Sequence, residues 1–271
     1  MRALEQIERW PVRNAAAGVV VRGKGVVDTE GDTAKVFPLA SVTKPLVAYG
    51  VLVAVEEGAI ELDQPAGPPG STVRHLLAHA SGLAFDSAEV LAQPGAKRIY
   101  SSAGFEVLAD FVAAQTGIPF NVYLQEAVFE PLGMTASVLA GPAGHAGRSS
   151  VADLLRFADE LLNPVVVSAE LVSEASTVQF PDRNGVLPGY GSQRPNDWGL
   201  GFEIRDHKVP HWTGTANSPR TFGHFGQSGT FLWVDPEVGM ACLALADENF
   251  GDWARVAWPP LSDAVIVEFE R

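Results

Sequence analysis

The sequence has a single cysteine, Cys242, and no long apolar run. One cysteine cannot form an internal disulfide, so nothing in the sequence indicates an oxidising compartment. No segment approaches the roughly 18 consecutive apolar residues that predict a membrane-spanning helix. Residues 1–10 alternate charged and apolar side chains at helical spacing and lack the continuous apolar stretch of a signal peptide. These absences predict a cytoplasmic protein with no membrane partner.

Basic residues are also scarce, since 19 Lys and Arg stand against 32 Asp and Glu and give a formal charge of −13. An acidic chain repels the phosphates of nucleic acids and anionic lipids, so neither is expected as a partner. A hydrophobic content of 46% with 19% charged residues is typical of a folded globular protein with one sizeable core. We therefore expect a single domain over residues 1–271, most simply a monomer.

Strand patterns occur near both ends of the chain, and helical patterns fill its middle. Such segregation indicates an α+β fold. We expect an antiparallel sheet part over about 1–60 and 198–271, flanked by helices, with an inserted all-helical part over about 61–197. The predicted strands are 17–21, 25–29, 200–204, 230–234 and 240–246, and the predicted helices are 3–10, 41–57, 73–79, 102–116, 121–129, 151–162 and 252–270, the last interrupted at Pro259 and Pro260.

Ser41 and Lys44 stand three residues apart at the start of a predicted helix. Side chains at this spacing share one face, so Oγ of Ser41 can come within hydrogen-bond distance of Nζ of Lys44. A lysine acts as a base near neutral pH only where burial or neighbouring charge lowers its pKa, and the apolar residues 45–55 can supply the burial. Because the pair alone also fits a helix start with a surface lysine, its interpretation depends on two downstream segments.

Those segments carry further candidate residues. Tyr100 directly precedes a predicted helix, for which Ser102 is a candidate N-cap. The glycine-rich segment 222–230 leads into a predicted strand and contains His224. Its glycines allow the backbone to come close to a ligand.

Taken in order, these motifs resemble those of the serine β-lactamase and penicillin-binding-protein superfamily. The class C-like branch, which includes the family VIII esterases and the D-aminopeptidases, is the most similar. Segments 76–83 and 130–134 resemble the Leu-Leu-x-His-x-Ser-Gly-Leu and Pro-Leu-Gly-Met elements of that branch, and the resemblance covers about residues 15–250. The three motif matches are Ser41-x-x-Lys44, Tyr100-x-Ser102 and His224-x-Gly226.

The resemblance implies acyl transfer without a cofactor or a metal. Ser41 would be the acylated nucleophile, Lys44 would accept its proton, and Tyr100 would serve as co-base or as proton relay to the leaving group. The backbone N–H groups of Ser41 and Gln227 would form the oxyanion hole. The candidate substrate-binding residues are Ser102, His224, Phe225, Gly226 and Trp212.

Other interpretations of individual residues are weaker. His75 and His79 have the spacing of a metal pair, but a leucine follows His75 where the zinc metalloprotease motif requires glutamate, so we interpret both as structural. Ser228 lies in a Gly-x-Ser-x-Thr sequence that lacks the last glycine of a hydrolase elbow, so we do not assign it as a nucleophile. Trp198, Trp212 and Trp233 could each line an acyl pocket or fill the core, and of these three only Trp212, in a polar loop, favours the pocket position.

Three differences from penicillin-recognising relatives point to small neutral substrates. His224 stands where a lysine would attract a substrate carboxylate, and histidine is mostly neutral near pH 7. Ser102 replaces an asparagine whose amide could bind a substrate amide. A cytoplasmic location would give no access to cell-wall peptides. We therefore expect an esterase-like serine hydrolase for small esters or amides, with weak or no β-lactamase activity.

Two alternatives stay open on the sequence. The first, within the same class, is a true β-lactamase, a D,D-carboxypeptidase or a D-aminopeptidase. The second is a catalytically silent binding module. The presence of Ser41, Lys44 and Tyr100 together argues against the silent module, because a binding scaffold has no physical need of all three.

Overall fold

A computed structural model describes residues 2–270 and contains one six-stranded antiparallel sheet and two smaller sheets. The strands are β1 (Ala15–Val21), β2 (Gly25–Gly31), β3 (Val36–Pro38), β4 (Val138–Leu139), β5 (Gly147–Ser150), β6 (Gly185–Leu187), β7 (Gly191–Gln193), β8 (Glu203–Ile204), β9 (Phe222–Gly226), β10 (Thr230–Asp235) and β11 (Met240–Ala246). The large sheet has the order β2-β1-β11-β10-β9-β8. Because β1 pairs with β11, the two ends of the chain meet at its centre, as the sequence predicted.

Seven α-helices accompany the sheets in residues 2–270. Short 3-10 turns at Leu4–Arg9 and Ala40–Val42 and one π-helical turn at Gln125–Phe129 complete the helical structure. The helices are α1 (Thr43–Glu56), α2 (Val73–Leu77), α3 (Ala103–Thr116), α4 (Phe120–Leu124), α5 (Val151–Leu162), α6 (Ala169–Ala175) and α7 (Asp252–Phe269).

The central strands of the large sheet are buried on both faces. In β1, Ala16 and Val20 point into a core that includes α1 and α5, whereas Ala17 and Val19 point into a second core that includes α7. Successive side chains of a strand point to opposite faces, which explains why these strands are continuous apolar runs. The α+β prediction is therefore confirmed, with helices on both faces of an antiparallel sheet.

The prediction of an all-helical middle segment is wrong in two respects. It contains β4 and β5, which pair with β3, and the hairpin formed by β6 and β7. In addition, α5 packs against β1 and β11 of the large sheet. Strands of two to four residues are too short to show an alternating pattern, so these strands could not be recognised from the sequence. The single-domain assignment over 1–271 stays a prediction.

Two further boundaries differ from expectation. Helix α7 continues through Pro259 and Pro260, because burial of Trp258 and Leu261 against the sheet stabilises the helix despite the lost backbone hydrogen bonds. In contrast, the strand predicted at 200–204 shrinks to the two residues of β8. The reason is Gly201, whose φ of +86° takes the chain out of extended geometry.

None of the helices in residues 2–270 combines the length and the apolar composition needed to cross a lipid bilayer.

Candidate active site

Ser41 lies in the 3-10 turn that leads directly into α1. The residue before it, Ala40, has a φ of +45°, a left-handed conformation that residues with a side chain rarely adopt. Such strain persists only where the surroundings enforce it, and it is common at functional sites. Ser41 is partly exposed, whereas Lys44, one turn further, is completely buried. The turn therefore presents the serine to solvent and directs the lysine inward.

The amine of Lys44 makes three polar contacts. Its Nζ lies 3.4 Å from Oγ of Ser41 and 3.1 Å from Oγ of Ser102, and it donates to the carbonyl oxygen of Gly144 at 2.8 Å. The ring of Tyr100 lies 4.6 Å from the same atom. The sequence-predicted pair is thus within contact distance, and Ser102 shares the same amine.

The charge state of Lys44 is set by its environment. Burial lowers the pKa of Lys44 from 10.5 to about 7, while the negative charge of Glu106 acts in the opposite direction. Near neutral pH a large fraction of the amine is therefore uncharged. An uncharged amine next to a serine hydroxyl can accept its proton.

Tyr100 and His224 form a second hydrogen-bonded pair. The hydroxyl of Tyr100 lies 3.3 Å from Nε2 of His224, and Nδ1 of His224 lies 2.6 Å from the carbonyl oxygen of Phe225. A carbonyl only accepts, so Nδ1 carries a proton. Burial, with the charge of Lys44, lowers the pKa of His224 to about 3. The histidine is therefore neutral at pH 7, and its Nε2 accepts the proton of the Tyr100 hydroxyl.

Tyr100 itself is a protonated phenol at neutral pH. Burial raises the pKa of Tyr100, and a hydrogen bond with Ser41 opposes the rise without cancelling it. With its proton donated to His224, the oxygen of Tyr100 has lone pairs available toward Ser41. This arrangement suits Tyr100 as a proton relay, and it does not suit Tyr100 as a base that is already deprotonated in the resting state.

The end of strand β9 lies against the backbone of Ser41. A β-carbon at Gly226 would lie 2.3 Å from the carbonyl oxygen of Leu39 and 3.2 Å from the nitrogen of Ser41. Only glycine allows this approach. Within residues 2–270, no hydrogen bond uses the N–H of Ser41 or the N–H of Gln227, the residue after Gly226. Two backbone donors therefore remain available at the place where an oxyanion hole is expected.

A small cavity of about 180 Å³ opens beside Ser41. Its wall is mostly aromatic and aliphatic, and among residues 2–270 neither a Lys nor an Arg contributes to it. The cavity therefore offers an apolar surface to a bound group and no cation to a carboxylate. The lining residues are Ser41, Phe85, Tyr100, Leu187, Pro188, Trp198, Glu203, His224, Phe225 and Gln227.

The placement of Trp212 in the pocket is wrong. Its ring lies behind Phe225 at a centroid distance of 5.9 Å, and its Nε1 donates to the carboxylate of Glu203 at 3.0 Å. Trp198 lines the cavity instead, although its sequence context did not distinguish a pocket position from a core position. A polar loop around a tryptophan does not predict a pocket position here, because the polar groups of that loop form hydrogen bonds with buried partners such as Glu203.

Ser102 is the first residue before α3 but does not cap it with its side chain. The neighbouring Ser101 accepts the N–H of Gly104 at 2.9 Å, which leaves the hydroxyl of Ser102 free to contact Lys44. The side chain of Ser102 therefore does not serve as the N-cap that the sequence suggested, and it contacts the amine of Lys44 instead.

Glu203 is a buried carboxylate in the cavity wall that the sequence did not indicate. It pairs with Nζ of Lys208 at 2.5 Å and with Nε2 of His211 at 2.9 Å, in addition to Trp212. Burial would raise the pKa of Glu203, but His211 and Lys208 overcome that effect and lower it to about 2. The carboxylate is therefore charged, with Lys208 as its counter-ion.

His79 supports Tyr100, consistent with a structural role. Its Nδ1 accepts the N–H of Ser101 at 3.1 Å, its carbonyl accepts the N–H of Ile99, and its ring lies 4.6 Å from that of Tyr100. Nδ1 of His75 contacts the hydroxyl of Thr72. Across residues 2–270, no three His, Cys, Asp or Glu side chains are grouped as a metal site.

Known proteins share both the sequence pattern and the fold. The sequence profile of the Beta-lactamase family matches residues 7–264. A crystal structure of a β-lactamase from Mycobacterium bovis is 60% identical, with 99% of this chain and 100% of that chain covered and a TM-score of 0.98. A penicillin-binding-protein homologue from Pyrococcus abyssi, described as octameric, has 18% identity and a TM-score of 0.76 over 98% of this chain and 76% of its own, which shows a shared fold.

Curated relatives are more distant. A protein from Escherichia coli provisionally named D-alanyl-D-alanine carboxypeptidase is 25% identical over 207 residues, which cover 58% of this chain and 46% of the relative. The chain thus spans about half the length of the curated relatives it matches. The fold of this chain is the one found in the β-lactamase and in the penicillin-binding-protein homologue. The chain belongs to the β-lactamase family.

Proposed function

We propose that this protein is a serine hydrolase that forms an acyl-enzyme on Ser41. The observation that carries the proposal is the fully buried amine of Lys44, 3.4 Å from Oγ of Ser41, with a pKa of about 7. An amine in this state combines proximity to the nucleophile with a proton affinity suited to neutral pH.

In the proposed reaction, Lys44 accepts the proton of Ser41 as Oγ attacks the substrate carbonyl. The carbonyl oxygen becomes an anion that the N–H groups of Ser41 and Gln227 bind. The proton then passes through Tyr100 to the leaving alcohol or amine, and the bond between carbonyl and leaving group breaks. A water molecule then attacks the acyl-enzyme and gives up its proton to the Tyr100 and Lys44 network. The proton returns to Oγ of Ser41 as the acyl bond breaks, which releases the acid and regenerates Ser41.

We further propose small neutral esters or amides as substrates. The cavity of about 180 Å³ accommodates a short acyl group, and its apolar wall favours one without charge. His224, with a pKa of about 3, carries no positive charge that would attract a carboxylate at neutral pH. The monomeric state and the cytoplasmic location stay predictions.

A β-lactamase or a D-alanyl-D-alanine carboxypeptidase is the second candidate function, because relatives carry these names. Substrates of both types have a free carboxylate. They would have to bind here without a Lys or Arg from the described part of the chain in the cavity wall, and the charge of Glu203 in that wall would be unfavourable. The esterase proposal avoids this cost.

The first experiment compares p-nitrophenyl butyrate with nitrocefin as substrates of the wild-type protein, with Ser41→Ala as the blank. We expect Ser41-dependent ester turnover with little nitrocefin hydrolysis. Rapid nitrocefin turnover would favour the β-lactamase candidate. No turnover of either substrate, together with no labelling of Ser41 by a fluorophosphonate, would favour the silent binding module.

Tyr100→Phe is expected to lower kcat for the ester by a factor on the order of 10²–10⁴, because the relay to the leaving group is lost. Steady-state kinetics at pH 7.5 measure the loss. Tyr190→Phe is the matched control, since the hydroxyl of Tyr190 has no hydrogen-bond partner within residues 2–270. Similar kcat values for the two variants would contradict the role of Tyr100.

A further inference from the structure

Glu106 is an acidic side chain close to the proposed catalytic centre that the mechanism above does not use. It lies on α3, four residues after Ser102, so the two residues share one face of the helix entrance. Ser102 contacts the amine of Lys44 directly. The spacing therefore directs the carboxylate of Glu106 toward the same region.

A chain of hydrogen bonds joins Glu106 to Lys44. The carboxylate accepts the N–H of Ala143 at 2.9 Å and the N–H of Gly144 at 2.7 Å. The carbonyl oxygen of Gly144 in turn accepts Nζ of Lys44 at 2.8 Å. Of the three polar contacts of that amine, this one is the shortest.

The backbone at Gly144 has little freedom to move. A β-carbon at Gly144 would lie 2.8 Å from Cβ of Ser102 and 3.1 Å from its Cα. The loop is therefore packed against Ser102 on one side and bound by Glu106 at its N–H groups. Both constraints fix the direction of the carbonyl that Lys44 contacts.

The charges around Lys44 are few. His79 and His224 are buried and neutral at pH 7, because burial lowers the pKa of each. Tyr100, Ser41 and Ser102 are uncharged there, and Glu106 is the acidic group whose charge acts on the amine. The outer side of Glu106 lines a separate surface cavity of about 440 Å³, together with Asp110 and Asn121.

We propose that Glu106 is a positioning residue for Lys44, which holds the carbonyl of Gly144 against the amine and sets the charge state of that amine. This inference rests on the proposed function of Lys44 as the base. Glu106 acts through the loop and through its charge, and it does not touch Ser41 or the cavity beside it.

The test is the pH dependence of kcat/KM in Glu106→Gln. The variant removes the negative charge of Glu106 and weakens the contact of the Gly144 carbonyl with the amine of Lys44. Both changes favour the uncharged amine, so the acid limb of the pH profile moves to lower pH. The ratio of activity at pH 6 to activity at pH 8 is expected to rise by about two- to fivefold, since a shift of one unit corresponds to a tenfold change. A residue that only stabilised the fold would lower the whole profile without moving its midpoint.

A second measurement does not require turnover. The chain has five lysines, so an NMR spectrum of protein labelled at lysine ¹³Cε contains few resonances. The resonance that is absent from the spectrum of Lys44→Met is that of Lys44. Its titration midpoint is expected to move to lower pH in Glu106→Gln. The amide of the glutamine could face the N–H groups of Ala143 and Gly144 and prevent folding. In that case Glu106→Ala is the variant to measure, because water from the outer cavity can reach those two N–H groups.

Asp110→Asn is the matched control, because Asp110 is exposed one turn further along the same helix. It is expected to leave both midpoints unchanged. Unchanged midpoints in Glu106→Gln and Glu106→Ala, with Ser41-dependent turnover intact in the wild type, would overturn the role of Glu106 and leave the proposed function standing. Absence of Ser41-dependent turnover in the wild type would overturn the proposed function, and the resonance of Lys44 would still decide the role of Glu106.

Discussion

Ser41→Ala is expected to lower kcat for p-nitrophenyl butyrate by a factor on the order of 10⁴–10⁶, to the rate of the uncatalysed reaction or close to it. Without Oγ there is no atom to form the acyl-enzyme, and the amine of Lys44 has no proton to accept at that position. A burst experiment and mass spectrometry after incubation with a fluorophosphonate measure the loss of the covalent step together with the loss of turnover.

Ser228→Ala is the control for this variant. Ser228 follows Gln227 in the turn between β9 and β10, and its hydroxyl donates to the carbonyl oxygen of Pro38 at 2.8 Å. It is expected to keep activity within about threefold of the wild type, as surface substitutions usually do. Equal losses in the two serine variants would mean that the nucleophile has been assigned incorrectly.

Lys44→Met is expected to lower kcat/KM for the ester by a factor of at least about 10³, since base catalysis and the alignment of Ser41 are lost together. In the wild type, kcat/KM is expected to rise with pH and to reach half of its plateau near pH 7, where Lys44 gives up its proton. The variant is expected to lose this limb. A wild-type profile that is flat between pH 5.5 and 8.5 would contradict the assignment of Lys44 as the base.

The same substitution is expected to stabilise the protein. The unfolded chain binds a proton at Lys44 with a pKa of 10.5 and the folded chain with a pKa of about 7. The penalty of burying the lysine is therefore fully present below pH 7, shrinks as the pH rises and is absent above pH 10.5. At neutral pH the penalty of burying the lysine is on the order of 3–5 kcal/mol. A methionine of similar length avoids this penalty, but Ser102 and Gly144 then lose a hydrogen-bond partner, so the expected net gain in the free energy of unfolding is about 1–3 kcal/mol.

Urea unfolding at pH 7 measures this gain, and the exposed Lys97→Met is the control that should change neither stability nor activity. A more stable but inactive Lys44→Met would separate loss of chemistry from loss of folding. Lower stability in Lys44→Met than in the wild type would show that the hydrogen bonds of the amine outweigh its desolvation.

Much of the site could be predicted because its residues lie in short local patterns. Ser41 and Lys44 share one turn, and Gly226 and Gln227 are adjacent, so their relative positions depend mainly on local geometry. The packing of Gly226 against Ser41 explains why a glycine must end strand β9. These four residues were therefore accessible from spacing and motif.

Residues that enter the site from distant loops could not be predicted in the same way. Phe85, Leu187 and Pro188 line the cavity but carry no periodic or chemical signal. Glu106 did carry one, since it stands one helical turn after Ser102, but its partners Ala143 and Gly144 come from a loop far along the chain. Trp212 was misplaced because its polar surroundings belong to the buried carboxylate of Glu203.

The sequence by itself determined the class of the fold, the family and the pairing of a serine with a lysine one turn away. Apolar strands at both ends of the chain and a local motif suffice for these. Only the tertiary structure decided that the pKa of Lys44 lies near 7, because that pKa depends on the complete burial of the amine and on the charge of Glu106. It also decided that the cavity is small and mostly apolar, with neither Lys nor Arg among its lining residues within 2–270, because several separate segments of the chain close around Ser41.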